Sequence, residues 1–330
     1  MNKLFISGIG RSGSTLIAKM VATKAQFKYT PEIPIYGFFY YWNNGRYNPL
    51  LESQVSDYLK WYSQLYAEHP WHLDREALDP QAKNQSFDDY MNALSLAFFE
   101  SNQAETVQNT DWIIDKNPSY TLFLNYILKK NIKDKCLFIV RDPRDNAASR
   151  IKTKNRQNTR NEHVAIHALR WKRFNTEYAR LIKQFPDRVL LVKYESFIEH
   201  TDEELQKISA FIDVPFQSSS MALASYSQAH IQGLDASIQK KYADLAKPLN
   251  RNAIGQWKEI LTAEQLSLIE GICGPLMQAF GYEISKPRVK PIVLKYRILE
   301  FSYWLKEKIL FYAPVKIKLS RIKSLTHKSS

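Results

Sequence analysis

The sequence predicts an α/β fold: a parallel sheet flanked by helices, with a largely helical insertion and a basic amphipathic C-terminal tail. Three observations carry this. Short runs with apolar centres at 3–6, 111–116, 136–140 and 188–193 alternate with stretches of helical periodicity, and such alternation makes each helix a crossover between parallel strands. The runs at 136–140 and 188–193 are apolar almost throughout rather than at every second residue, as strands covered on both faces are. Polar residues gather where the runs end, which is where ligands sit in such sheets.

The first run ends in a glycine-rich turn, and beyond it Leu16, Ile17, Met20 and Val21 recur at helical spacing. Residues 36–48 are aromatic and irregular, while 50–108 is mostly helical in pattern, polar and cut by Pro70 and Pro80. The block 38–108 therefore reads as an insertion that shapes an acceptor site, and a second strand beginning at Glu32 would set that residue near the rim of the same site. Pro118 is expected to open a helix at its first turn, and another helix starts near Pro143. Further helices are predicted at 161–184, 201–212 and 262–279. The expected domain is 1–285 and the tail 286–330, with no internal repeat.

At 330 residues and 45% hydrophobic content the chain has room for one large α/β domain or two small ones. The formal net charge is +13, unevenly placed: 286–330 carries twelve Lys or Arg against Glu300 and Glu307, so the tail holds +10 and the first 285 residues +3. A nearly balanced body offers no second basic face, which argues against nucleic-acid binding. Cys136 and Cys273, the two cysteines, predict neither a disulfide framework nor a zinc site and fit a reducing compartment. The N-terminal apolar run is too short for a signal sequence, and no stretch reaches about 18 uncharged apolar residues. A cytoplasmic protein is expected, membrane-associated at the inner face if its tail binds lipid.

The glycine-rich turn is the most informative segment. Residues 8–15 read G-I-G-R-S-G-S-T, the frame of the phosphate-binding P-loop G-x-x-x-x-G-K-[ST] with Ser14 where the lysine stands; the fold is thus P-loop-like. Backbone amides of 10–15 and the helix start can still hold an anion, but the ammonium that handles a β,γ-phosphate pair is missing. A donor whose transferred group carries one negative charge needs less cationic help. Arg11 brings a guanidinium suited to planar contact with phosphate or sulfuryl oxygens.

Strand, GRSGSTL, helix resembles the 5′-phosphosulfate loop of sulfotransferases that use 3′-phosphoadenosine 5′-phosphosulfate (PAPS). A second segment agrees with it. Those enzymes follow a strand with an arginine and, eight residues later, a serine that clamp the 3′-phosphate, and Arg141 and Ser149 in VRDPRDNAAS have that spacing. The resemblance implies that Gly10, Arg11, Ser12, Gly13, Ser14 and Thr15 surround the 5′ end and that Arg141 and Ser149 hold the 3′-phosphate. Tyr194, in VKYESF, either contacts the nucleotide or anchors the core. PAPS is then the donor, 3′-phosphoadenosine 5′-phosphate (PAP) the product, and no metal is implied.

In its motifs the chain is most similar to tyrosylprotein and related carbohydrate sulfotransferases. Sulfuryl transfer to a hydroxyl needs a base at the acceptor and a cation at the leaving oxygen. The resemblance gives the base role to Glu32, 21 residues after Arg11. It makes Lys116, in DKNP, the cation at the leaving oxygen, with Arg11 flanking the sulfuryl group. A Lys116–Asp115 pair is the plainer alternative, and Asn117 departs from the acidic residue of the tyrosylprotein group. His163 and His167, one turn apart in an ordinary amphipathic pattern, are weaker base candidates. Residues 240–259 resemble the loop that covers the nucleotide, with Gln256 replacing the lysine before Trp257, so Lys240, Lys241, Lys247 or Arg251 is left to supply that charge.

In the tail, Leu294, Ile298, Phe301, Leu305, Ile309 and Tyr312 recur at three- and four-residue steps among lysines and arginines. This suits a peripheral anchor on an anionic membrane surface, with Tyr303, Trp304 and Phe311 at the headgroups, or a helix packed on the domain or another subunit. The oligomeric state stays open. The acceptor is a hydroxyl, of a glycan or glycolipid by preference, and the aromatic run 36–42 would stack on a sugar, phenol or tyrosine or fill a core. Rival readings are an ATP-dependent kinase with a degenerate P-loop, sulfation of a phenol or tyrosine, and a non-enzymatic adaptor.

Overall fold

The computed structural model describes residues 2–30, 109–129, 131–156, 163–217 and 251–285, with 298, 301, 302 and 305. Five strands, β1 (Asn2–Gly8), β2 (Phe27–Thr30), β3 (Asn109–Lys116), β4 (Lys135–Val140) and β5 (Val189–Lys193), form one sheet. Every neighbouring pair is parallel, in the order β2-β3-β1-β4-β5. From β1 the chain crosses to the edge strand β2, returns inward to β3, and then passes over β1 to β4 and β5 on the other side. The loops after β1, β3 and β4 thus open where the strand order reverses, the ligand crevice of open α/β sheets.

The helices are α1 (Ser14–Ala25), α2 (Leu124–Leu128), α3 (Pro143–Arg156), α4 (Val164–Gln184), α5 (Tyr194–Glu199), α6 (Thr201–Ile212), α7 (Trp257–Ile260) and α8 (Ala263–Ala279). Strand alternation sends Leu4, Ile6, Ile114, Leu137, Ile139 and Val192 to one face, where they pack on Ile17, Val21 and Ala22 of α1 and Ile208 of α6. On the other face Val140 packs with Ala168 and Trp171 of α4 and Ile269, Ile272 and Met277 of α8. Each fully buried side chain of this size contributes about 1.5–3 kcal/mol of transfer free energy. Trp171 also donates its indole N–H to the carbonyl of Arg141 at 2.7 Å, fixing the end of β4.

Capping sets the helix limits. The ring of His163 accepts from the Ala165 amide, so α4 begins at Val164 rather than at 161. Thr262 and Gln265 form a reciprocal capping box at the start of α8. Two expectations are corrected. The second strand lies at Phe27–Thr30, ahead of Glu32, because Gln26 closes α1 in the left-handed conformation (φ 54°) and turns the chain straight into β2. After Pro118 the chain takes a 3₁₀ turn, Pro118–Leu122, before the short α2. The insertion at 38–108 lies outside the described residues, as does most of the tail. Residues 298, 301, 302 and 305 have helical backbone, and Ile298, Phe301 and Leu305 are exposed. Among the described residues no helix is long and apolar enough to cross a membrane.

Candidate active site

The turn after β1 is held from below. Thr121 donates its hydroxyl to the carbonyl of Gly8 at 2.8 Å and accepts from the Gly8 amide and from Ser7 at 2.7 Å, tying the strand end to the 3₁₀ turn. Gly8 has φ 129°, and a Cβ there would lie 2.2 Å from the carbonyl oxygen of Ile139, so only glycine lets β1 and β4 run this close. Arg11 (φ 72°) and Gly13 (φ 84°) both take left-handed backbone, which for arginine is a strained state. Gly13 is the N-cap of α1, no side chain caps that end, and the first turn holds no acidic residue. Its amides are thus presented to an anion.

From the far side α3 grips the loop. Asn146 donates to the carbonyl of Gly10 (3.0 Å) and the hydroxyl of Ser12 (3.2 Å), and Arg150, one turn on, donates to the Gly10 carbonyl at 2.7 Å. Ser149, between them, accepts from Nε of Arg11 at 3.2 Å. Two residues that the sequence assigns to opposite ends of a nucleotide are therefore in contact across the crevice. Ser14 is buried in the first turn of α1 and Thr15 is partly exposed beside it.

Arg141 leaves β4 as the central cation. It donates to the carbonyl of Arg11 at 3.1 Å and to that of Ala253 at 2.6 Å, and its guanidinium lies 4.5 Å from the ring centroid of Tyr194. Its Nε is buried and makes no hydrogen bond, an open donor that an anionic ligand would satisfy. Tyr194 starts α5 and lies against the loop: a Cβ on Gly13 would come within 2.3 Å of its ring. Burial pushes the Tyr194 phenol up, with Arg141 opposing. This tyrosine is both a strand-end anchor and a wall of the crevice.

Lys116 ends β3 beside Ile6 of β1 and is buried. Alternation places it on the α1 side of the sheet and Asp115 on the other, so the two are not side by side. Burial pushes the Asp115 carboxyl up to about 7, against the pull of Lys3 and Lys116. Glu32 lies outside the described residues; β2 ends two residues before it, with Thr30 in register with Asp115.

The late segment docks on α3. Asp145 accepts from the amides of Gly255 (2.8 Å) and Trp257 (3.0 Å), and Arg144, paired with Asp142 and Glu270, stacks 4.4 Å from the Trp257 ring centroid. Gln256 accepts from the Lys152 ammonium at 3.1 Å, so α3 delivers a cation beside Trp257. Arg251 is exposed; Lys240, Lys241 and Lys247 lie outside the described residues. His163 is engaged as the α4 cap and His167 is buried on the same helix. Sequence reasoning missed Asn146, Arg150, Lys152 and the docking role of Asp145. Their signal was the density of polar residues in a helix whose first two turns are buried.

The sulfotransferase family profile matches residues 3–218, which include β1, the loop, β3, β4, α3 and β5. The chain belongs to the sulfotransferase family. This sulfotransferase shares its fold with the sulfotransferase domain from the curacin biosynthetic pathway, at 18% identity over 86% of this chain and 98% of that one, with a TM-score of 0.51. It matches the sulfotransferase domain of the olefin synthase of Synechococcus PCC 7002 at 18% identity over 86% and 95% of the two chains, with a TM-score of 0.52. No curated protein matches the sequence. The enzyme therefore transfers a sulfuryl group to a hydroxyl-bearing acceptor and binds a nucleotide.

Proposed function

We propose that the donor is PAPS and that the acceptor is a hydroxyl of a glycan or glycolipid. The observation that carries the donor reading is the convergence of Arg141, with its open Nε, and the Arg11–Ser149 contact on an uncapped helix start. Arg141 and Ser149 would hold the 3′-phosphate, Gly10 to Thr15 the 5′-phosphate through their amides and hydroxyls, and Tyr194 the edge of the nucleotide. Bound there, the donor supplies the sulfuryl group, whose bond to the 5′-phosphate oxygen breaks as the acceptor oxygen bonds to sulfur.

The chain's own residues do the rest. Glu32 takes the acceptor proton on its carboxylate, Lys116 holds its ammonium at the bridging oxygen where charge accumulates, and Arg11 flanks the sulfuryl oxygens. Stabilising charge that appears only in the transition state raises the chemical rate more than the binding. No metal enters this scheme. If the tail holds the enzyme on an anionic bilayer through the exposed Ile298, Phe301 and Leu305, glycolipid hydroxyls are presented to the crevice. The test is Glu32→Gln with labelled PAPS and a glycolipid fraction. Turnover is expected to fall by about 100-fold or more with PAP affinity nearly unchanged; equal turnover by the variant removes Glu32 as the base.

A further inference from the structure

The peptide joining Arg141 to Asp142 lies after β4 and before α3, so side chains rather than a ladder or a helix take up its polar groups. Its carbonyl accepts from the Trp171 indole at 2.7 Å, and its N–H, that of Asp142, donates to a carboxylate oxygen of Glu195 at 2.9 Å. The other oxygen of Glu195 accepts from the Tyr282 hydroxyl, also at 2.9 Å. Tyr282 is buried and follows α8 through a Schellman turn. Gly281 takes φ 74° there, its amide donates to the Gln278 carbonyl, and the Tyr282 amide donates to that of Met277. The end of α8 thus delivers the phenol to Glu195 in one orientation.

Three consecutive residues where β5 meets α5 serve this group. Lys193 holds its ammonium 4.5 Å from the Tyr282 ring centroid, Tyr194 lies against the Arg141 guanidinium, and Glu195 joins Tyr282 to the Asp142 amide. We propose that Glu195, oriented by Tyr282, is a positioning residue for Arg141, fixing the peptide that follows it so that the open Nε of the guanidinium meets the 3′-phosphate of the donor. The inference rests on Arg141 holding that phosphate, as in the function proposed above.

The geometry of Arg141 explains why its backbone matters. Its two terminal nitrogens are engaged by the carbonyls of Arg11 and Ala253, which leaves Nε for a ligand. Nε is the guanidinium nitrogen nearest the backbone, so any turn of the following peptide carries to it with little slack. Loss of the Glu195 carboxylate leaves the Asp142 amide, in a buried residue, without its acceptor. The peptide is then held at its carbonyl alone and rotates to find another partner. The 5′ end of the nucleotide is insulated from this change, because Thr121, Asn146 and Arg150 anchor the first loop without Glu195. Glu195 therefore acts on recognition of the 3′-phosphate and leaves the rest of the nucleotide site as it is.

The experiment is calorimetric titration of the full-length protein with PAP and with adenosine 5′-phosphate, which lacks the 3′-phosphate. The wild type is expected to prefer PAP. In Glu195→Ala the dissociation constant of PAP should rise about tenfold, as loss of a hydrogen bond to a charged group implies, while that of adenosine 5′-phosphate stays within about twofold. Glu195→Gln, whose amide oxygen still accepts from Asp142, should recover most of the preference. Tyr282→Phe, which removes the hydroxyl that orients the carboxylate, should weaken PAP about threefold and leave adenosine 5′-phosphate unchanged. Equal weakening of both ligands in Glu195→Ala would assign Glu195 to general support of the fold and overturn the inference, as would unchanged PAP binding. Where Glu195→Ala does not fold, Tyr282→Phe decides alone, and an unchanged preference in it overturns the inference. A wild type that binds both ligands equally overturns the Arg141 reading, and this inference with it.

Discussion

At Gly13 the φ of 84° and the 2.3 Å approach to the Tyr194 ring act together. Gly13→Ala must either twist the loop or push Tyr194 off Arg141, at a strain of about 1–3 kcal/mol. PAP affinity is expected to fall by about tenfold or more and Tm by several degrees, read by calorimetry and thermal melting; an alanine variant that binds as the wild type does would show that the loop tolerates both. Asp115 makes a pH prediction on the opposite face of the sheet. Its carboxyl is raised to about 7 in the fold from an ordinary 3.8, so between these values the folded state binds more protons than the unfolded one. Stability is therefore lost as pH rises from about 4 to about 7. Asp115→Asn should flatten this slope and raise Tm at pH 8 by about 2 °C or more; an unchanged slope would assign it to other carboxyls.

Between elements, the informative contact is the docking of the 251–257 segment on α3. Asp145 is buried, its carboxyl pushed up by burial and held back by the two amides it accepts from, while Arg141 ties the same segment to the first loop through Ala253. A hydrogen bond to a charged group contributes about 1.5–3 kcal/mol, so Asp145→Ala should free the segment. Hydrogen exchange at the Gly255 and Trp257 amides should accelerate, and PAP affinity should fall by about tenfold or more, with the sheet amides still protected. Slow exchange in the variant would mean that the Arg144–Trp257 stacking alone holds the segment.

For the whole molecule, what could be read in the sequence followed the physics of each signal. The apolar runs of β4 and β5 mark strands buried on both sides, and Arg141 and Ser149 stood out through their resemblance to the sulfotransferase clamp, whose spacing a strand end followed by a helix preserves. β2 escaped because FKYT is four residues long, half polar, and follows a helix closed by Gln26 without a glycine. The Tyr194–Gly13 approach, the Arg11–Ser149 bond and the Arg141–Ala253 bond join segments distant in sequence, and no local pattern encodes them. The tail makes its own prediction: full-length protein should float with anionic liposomes and a chain ending at Ser285 should not. Equal behaviour of the two would leave the exposed apolar stripe to a protein contact.

PAP binding to the full-length protein with a chelator present, compared with ATP and magnesium and repeated on Arg141→Ala, bears most directly on the donor site. The account predicts PAP binding that survives the chelator, is tighter than that of magnesium-ATP, and weakens by about tenfold or more in the variant, as loss of a charged hydrogen-bond donor requires. Tighter, magnesium-dependent ATP binding, or an Arg141→Ala protein that holds PAP as the wild type does, would contradict it.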